Sequence, residues 1–277
     1  MTLKVLTLNL WNTSGPYEKR KPRIREWIER LDPDVIGFQE ALRGENFEQV
    51  PEIVERLGYH TDHASVISYD GFEFGNAVAS RWPIHGRAVC ELPTGDRAEG
   101  RCALNVLIEA PFGELSFTTT HLNWKLHDGR SREMQVCALA DFVLSRRPRG
   151  GFPPVVVGDF NAEPDSTEIR FMSGFAPLDG RSVMFYDAWR LAGDRGPGTT
   201  WSNNNDFASI ALEPERRIDY IFAGYPHRMT DDHGVGKIES CRVVCNDAVD
   251  GVWPSDHFGV YAELRTEPLA KPRWTMS

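Results

Sequence analysis

VVVGDFNAEPDS, residues 155–166, opens with three valines that make both faces of an extended chain apolar. Such a run marks a strand covered on both sides by other layers. Gly158 lets the backbone turn where that strand ends. Alternation then aims Asp159 and Asn161 to one side and packs Phe160 to the other. Two polar side chains directed into one cleft suit a metal site or a grip on phosphate. Asp165 and Ser166 read well as an Asx-rich turn capping the next helix, but that turn gives Asp159 no purpose.

Outward from this strand, the chain alternates apolar runs with turn signals. LKVLTLNL (3–10) is a strand with the polar Asn9 near its end, and an amphipathic helix follows, stopping before Asp32-Pro33-Asp34. VIGFQE (35–40) is a second buried strand that delivers Glu40 at its last position. Residues 46–57 read as helical, and 64–69 and 76–81 as short strands closed by Trp82-Pro83. CALNVLIEA and ELSFTTTHL form a hairpin across Pro111-Phe112-Gly113, its second strand ending at His121. A helix over about 131–144 precedes the valine strand; after Asn161 the pattern loosens into a long Gly-, Pro-, Asn- and Asp-rich stretch reaching Arg216, the kind of segment that carries function. RIDYIF, KIESCRVVC and HFGVYAELR complete the strands. Many strands and few helices predict sheets packed face to face with helices outside, in a single domain over 1–267 with a flexible tail at 268–277.

The polar residues fall in a pattern. Asn9, Glu40, His121, Asp159 and Asp219 stand at or near the ends of apolar strands, and Asp256-His257 stand just before one. A carboxylate that follows a buried strand, as Glu40 does, must be paired, solvated or bound to a cation. Asn9 alone reads as a hydrogen-bonding oddity, and His121 alone reads equally as a capped strand end or a catalyst. Asp219, inside an apolar strand, needs a partner, and Asp256-His257 offers one: an Asp–His pair fixes an imidazole's tautomer and raises its basicity. Ser255 has no GxSxG elbow around it and is no nucleophile.

LTLNLW with Asn9, FQE with Glu40, GNAVASRWPI from Gly75, TTHLNW with His121, GDFNAEPDS with Asp159 and Asn161, RIDYIF with Asp219 and SDHFGVYAEL with Asp256 and His257 together resemble the endonuclease/exonuclease/phosphatase superfamily, its sphingomyelinase- and deadenylase-like branches most. The resemblance implies a DNase I-like α/β fold, a four-layer αββα sandwich of two mixed sheets with the site on one edge. It implies that Asn9, Glu40 and Asp256 bind or support one or two Mg²⁺ or Mn²⁺ ions, which fits hard oxygen ligands. His257, oriented by Asp219, would activate water; Asp159 and Asn161 would position that water and the phosphoryl oxygens, with Asp159 a rival general base. His121, in place of the tyrosine of abasic-site repair nucleases, would stabilise the transition state or protonate the leaving oxygen, and Asn76 of the GNAVASRWPI motif would contact substrate. The implied reaction is metal-dependent hydrolysis of a phosphate ester, expected to be a diester. The alternatives are a phosphomonoesterase on a sugar or inositol phosphate, or a binding module that retains the fold without chemistry.

Composition bounds the partners. A net charge of -9 gives no broad basic footprint for duplex DNA, although a bound metal adds local positive charge. A nucleic acid or nucleotide, a phospholipid head group and a phosphorylated sugar all remain open. Lys125, Arg130 and Arg132 follow His121 and are candidates to grip a second phosphate, or they are an exposed loop and helix start. Trp11, Trp124 and Trp201 form either a stacking rim or core. The basic run Lys19, Arg20, Lys21, Arg23 and Arg25 reads as the solvated face of a helix. No apolar run is long enough to cross a bilayer, no basic leader precedes LKVLTLNL, and Cys90, Cys102, Cys137, Cys241 and Cys245 are scattered without zinc spacing. A cytoplasmic monomer with reduced, buried cysteines is the expectation.

Overall fold

In chain order, the computed structural model contains β1 (Thr2–Asn9), α1 (Tyr17–Leu31), β2 (Val35–Gly44), β3 (Phe47–Glu48), α2 (Gln49–Ile53), β4 (His60–Tyr69), β5 (Phe72–Ser80), β6 (Ile84–Leu92), β7 (Arg101–Ala110), β8 (Gly113–His121) and α3 (Gly129–Ser145). There follow β9 (Val155–Asp159), α4 (Thr167–Met172), β10 (Phe185–Asp187), α5 (Ala188–Ala192), α6 (Asp206–Ser209), β11 (Asp219–Gly224), β12 (Ile238–Val244) and β13 (Gly259–Arg265). The structure describes residues 1–95, 99–148, 151–225 and 234–269, so most of the tail expected at 268–277 lies outside the described residues.

The strands form two sheets, one ordered β12-β13-β1-β2-β5-β4 with β3 attached to β2, the other β10-β11-β9-β8-β7-β6. Each is mixed, with a parallel pair at its centre (β1 with β2, β8 with β9) and antiparallel neighbours outside it. Three apolar clusters define the layers. Leu3, Val5, Val35, Val106, Phe117, Val157 and Val260 pack between the sheets. Ile24, Trp27 and Ile28 of α1 cover the first sheet's outer face against Leu6, Leu8, Ile36 and Phe38. Val136, Leu139 and Val143 of α3, with Ile169 and Met172 of α4, cover the second against Val156, Tyr220 and Phe222. The result is the expected order of helices, sheet, sheet, helices.

Where the sheets press closest, Gly37 is required: a Cβ there would stand 2.3 Å from Val157 Cγ2. Gly158 answers to a similar constraint, because its Cβ would stand 2.0 Å from the carbonyl oxygen of Thr120 on the parallel neighbour, at φ +148. Beside Gly37, Gln39 donates across the gap to Thr119 Oγ1 at 2.9 Å, which satisfies a buried amide.

Several expectations are corrected. β2 does not stop at Glu40 but runs on to Gly44; its register with β5 shifts between Phe38 and Ala41, and Glu40 occupies that bulge at φ +54. Only 49–53 of the expected helix at 46–57 is helical. β6 has no counterpart in the sequence reading, although Ile84, Gly86, Ala88, Cys90 and Leu92 alternate with the more exposed His85, Arg87, Val89 and Glu91 as the two faces of an edge strand do. The stretch to Arg216 holds β10 and three short helices: side-chain caps fix α5, with Asp187 on Trp189 N, and α6, with Asn205 on Phe207 N, whereas Ser166, expected to cap the helix that follows it, makes no side-chain cap bond to α4.

Candidate active site

Sheet register builds half of the site. His121 on β8 pairs with Asp159 on β9, and Asp159 pairs with Asp219 on β11, so three residues far apart in sequence form one row across three strands. Directly opposed residues share a face of the sheet, which turns all three side chains toward the same rim. The other half comes from the first sheet, where Asn9 at the end of β1 lies beside Gln39, one residue before Glu40. Asn9 joins the halves: its Nδ2 donates to Asp159 Oδ2 at 3.1 Å and toward Glu40 Oε1 at 3.4 Å, while its Oδ1 accepts from Trp11 N. Asp256 and His257, just before β13, face the same cleft, a space of about 230 Å³ that Glu40, His121, Asp159 and Asn161 also line.

His257 Nδ1 lies 3.0 Å from Asp219 Oδ2, which leaves Nε2 as the ring atom for the cleft, 3.8 Å from Asp159 Oδ2. Burial alone works against a charged imidazole, but Asp219 and Asp159 outweigh it and hold the His257 pKa up at about 10. Burial first, then the charge of Asp219, raises the Asp159 carboxyl to about 7, although Asn161 N and Asn9 Nδ2 both donate to it. Asp256 is also raised to about 7, by burial first, with Glu40 adding to the rise and His257 opposing it. His121 Nε2 stands 3.4 Å from Asp159 Oδ2 and its Nδ1 is buried without a partner. Its pKa is lowered well below the ordinary value by burial, then by Arg101 and His257, so the ring is neutral at pH 7.

A divalent cation fits this donor set. Glu40 and Asp256 are carboxylates on one cleft wall, close enough for the charge of Glu40 to raise Asp256; the buried Arg20 acts on both only at a distance, its N–H groups being spent on carbonyls, and no salt bridge among the described residues reaches either. Like charges so placed are relieved by a hard cation with oxygen ligands. Ligand atoms of Asp159, Asp219 and His257 also lie within 4.8 Å of one another. There the Nδ1 atom of His257 is already engaged by Asp219, so that trio is better described as a proton-handling group than as a metal cage.

The remaining sequence candidates separate. Asn161 lines the cleft at φ +50, its Nδ2 committed to Leu122 O, which leaves Oδ1 for a ligand. Trp11, Trp124 and Trp201 all line the cleft, so the rim reading holds over core packing. Asn76 is buried, with Nδ2 on Cys102 O and Oδ1 unpartnered, beside His121 and Arg101. Lys125 lies half-buried with Nζ 3.9 Å from Glu99, and Arg130 is exposed at the start of α3, away from the residues lining the cleft. Arg132 is corrected outright: it is buried, bonded to Glu168 Oε1 at 2.9 Å and to the carbonyls of Asn123 and Lys125, and so ties α3 to α4. Arg20 is likewise no solvated side chain. It is fully buried and donates to the carbonyls of Leu10, Trp11, Asn12, Ser14 and Pro254, clasping the β1–α1 loop to the segment before Asp256. Its place on the stripe with Ile24, Ile28 and Leu31 was the available signal. Sequence reasoning also missed Asn12, whose Nδ2 donates to Glu40 Oε2 at 3.0 Å, and Asn205, which holds the carbonyls of Ser255 and Asp256; neither has a motif to betray it.

Known proteins are similar to this chain in sequence and fold. Residues 6–257 match the Endonuclease/Exonuclease/phosphatase family. Nocturnin of Xenopus laevis is 24% identical over 265 residues, covering 90% of this chain, and the chain spans 64% of that relative's length. The structure of D. rerio TDP2 complexed with single strand DNA product superposes with a TM-score of 0.77 at 18% identity, over 95% of this chain and 99% of that one. The human Nocturnin catalytic domain with bound sulfate anion gives 0.70 at 20% identity, over 95% and 93%. Identities this low show a shared fold of two mixed sheets between helices. The family match, in contrast, runs from the first strand through His257 and takes in both halves of the cleft. The chain belongs to the endonuclease/exonuclease/phosphatase family.

Proposed function

We propose that this protein hydrolyses a phosphodiester with the help of a divalent cation, Mg²⁺ or Mn²⁺, held by Glu40 and Asp256 with Asn9 in support. The observation that carries the reading is the Asp219–His257–Asp159 arrangement, an imidazole fixed at 3.0 Å by one carboxylate and facing a second across 3.8 Å, beside the Glu40–Asp256 wall. The cation would supply charge neutralisation on the phosphoryl oxygens and lower the pKa of water nearby.

The side chains divide the remaining work. His257 Nε2 and Asp159 Oδ2, 3.8 Å apart, together hold the attacking water. Asp219 occupies Nδ1 and keeps the ring charged, its pKa up at about 10, so at pH 7 Nε2 already carries a proton and donates it toward the cleft, while the water's proton is received at Asp159 Oδ2. Asn161 Oδ1 orients the water, and Asn9 keeps Asp159 aimed at it. His121, neutral at pH 7, serves as a hydrogen-bond donor to a phosphoryl oxygen rather than as an acid for the leaving group.

Purified protein with Mn²⁺ or Mg²⁺ should turn over bis-p-nitrophenyl phosphate faster than p-nitrophenyl phosphate and lose that activity in EDTA. Faster hydrolysis of the monoester would shift the reading to a phosphomonoesterase; metal-independent turnover would remove it.

A further inference from the structure

We propose that Trp201 and Arg216, with Glu213, form a subsite for a second phosphoryl group of the substrate, next to the scissile one; the proposal rests on the phosphoesterase reading above. Arg216 is only 6% exposed yet lines the catalytic cleft together with Trp201, Glu213 and His257. Its terminal nitrogen pairs with Glu213, but its Nε is buried with no acceptor. Trp201 has the same deficiency. It is held to Arg216 by reciprocal backbone bonds, each 3.0 Å long, and its indole N–H is buried and unmatched. Buried donors are rarely left so, and two on one cleft wall call for an acceptor that arrives with a ligand.

The neighbour in sequence makes the contrast. Arg217 spends both terminal nitrogens on Asp187, at 3.1 and 2.8 Å, and faces away from the cleft into Tyr220. Nothing comparable completes Arg216. Among the described residues its acid partner is Glu213, three residues away on the rim, which holds the guanidinium in place until a ligand's acceptor replaces it.

That acceptor must be anionic, to suit the guanidinium, and must carry several oxygens, to reach two N–H groups at once. A phosphoryl group meets both requirements. It is not the scissile one. The Trp201 ring touches His257 edge-on, with centroids 4.9 Å apart, and Arg216 Cζ lies 5.9 Å from the same indole, so the guanidinium stands one aromatic ring away from the imidazole that handles the water. The substrate class is therefore a phosphate ester with a second phosphoryl close by, as in an oligonucleotide or a bisphosphorylated sugar.

The test compares substrates with and without the extra group: a 5′-phosphorylated thymidine dinucleotide against the unphosphorylated one, and a hexose bisphosphate against its monophosphate. Native protein should prefer one doubly phosphorylated member. Arg216→Gln should cut that preference by about tenfold or more, through KM, with Arg216→Lys restoring part of it. Trp201→Phe, which removes only the indole donor and keeps a ring against His257, should cut it less, and serves if the arginine variants fold poorly. In EDTA, inorganic pyrophosphate should raise the Tm of native protein and not that of Arg216→Gln, a readout independent of turnover. Equal losses on paired substrates, or no preference and no pyrophosphate shift, would overturn the subsite. Absence of turnover on every ester would sink the phosphoesterase reading alone.

Discussion

The two sheets bring different chemistry to one cleft. The first, through Glu40 in its bulge and Asp256 before β13, supplies hard oxygen donors whose charges repel. The second supplies a row of His121, Asp159 and Asp219, to which we assign the handling of a proton, with His257 reaching over from the first to join it. Asn9 stitches the two together. On the proposed roles, cation binding and proton transfer have separate structural supports, and so should be removable separately.

Removing the cation side should have the largest effect. Glu40→Ala or Asp256→Ala is expected to lower kcat/KM on bis-p-nitrophenyl phosphate by about 10⁴-fold and to abolish the Tm increase produced by Mn²⁺. Retention of that increase in both variants would mean that the cation sits elsewhere. His257→Ala should cost about 10³-fold in rate while keeping the Mn²⁺ effect, which would separate the halves directly. Asp219→Asn should cost about 10- to 100-fold, with a displaced pH–rate profile, because it only orients the ring.

The electrostatics predict a linked pH effect. Asp159 and Asp256 are held up at about 7 against an ordinary 3.8, so the folded metal-free protein keeps protons that the unfolded chain has released, and stability falls as pH rises from about 4 to 7. His257, at about 10 against 6.5, contributes stability that is complete below 6.5 and is lost as pH climbs through about 10. His121, lowered well below its ordinary value, works the other way below about pH 6.5, so calorimetry in EDTA should show the decline most clearly from pH 7 to 10, with Asp256→Asn flattening the part below 7. A metal-free Tm that climbs between pH 7 and 9 would contradict the assignment. Smallest of all, on rate, is Arg132→Met: kcat/KM should stay within about twofold while Tm drops, since a buried Glu168 loses its partner.

Much of this was readable before any coordinates. Strands that must be apolar on both faces expose each charged exception, and that is why Asp159, Asp219, His121 and Glu40 could be singled out. What sequence cannot show is who answers each charge. Arg132 and Arg216 both sit near motif residues, yet one is completed by Glu168 and two carbonyls and the other is left with an idle Nε. Arg20 was misplaced for the same reason, because a cation on a helix reads as solvated unless its carbonyl partners are visible. The bulge at Glu40 and the short helices α5 and α6 are not legible because neither leaves a period to detect.

The reacting row belongs to rungs of a hydrogen-bonded ladder, whereas Trp201, Glu213 and Arg216 belong to the segment between β10 and β11. If the row does the chemistry and the connecting chain sets selectivity, the two are modular: exchanging the side chains at 201, 213 and 216 should retarget the protein, provided Thr200 and Asn205, which hold Asp219 N, Phe258 N and the carbonyls of Ser255 and Asp256, stay in place.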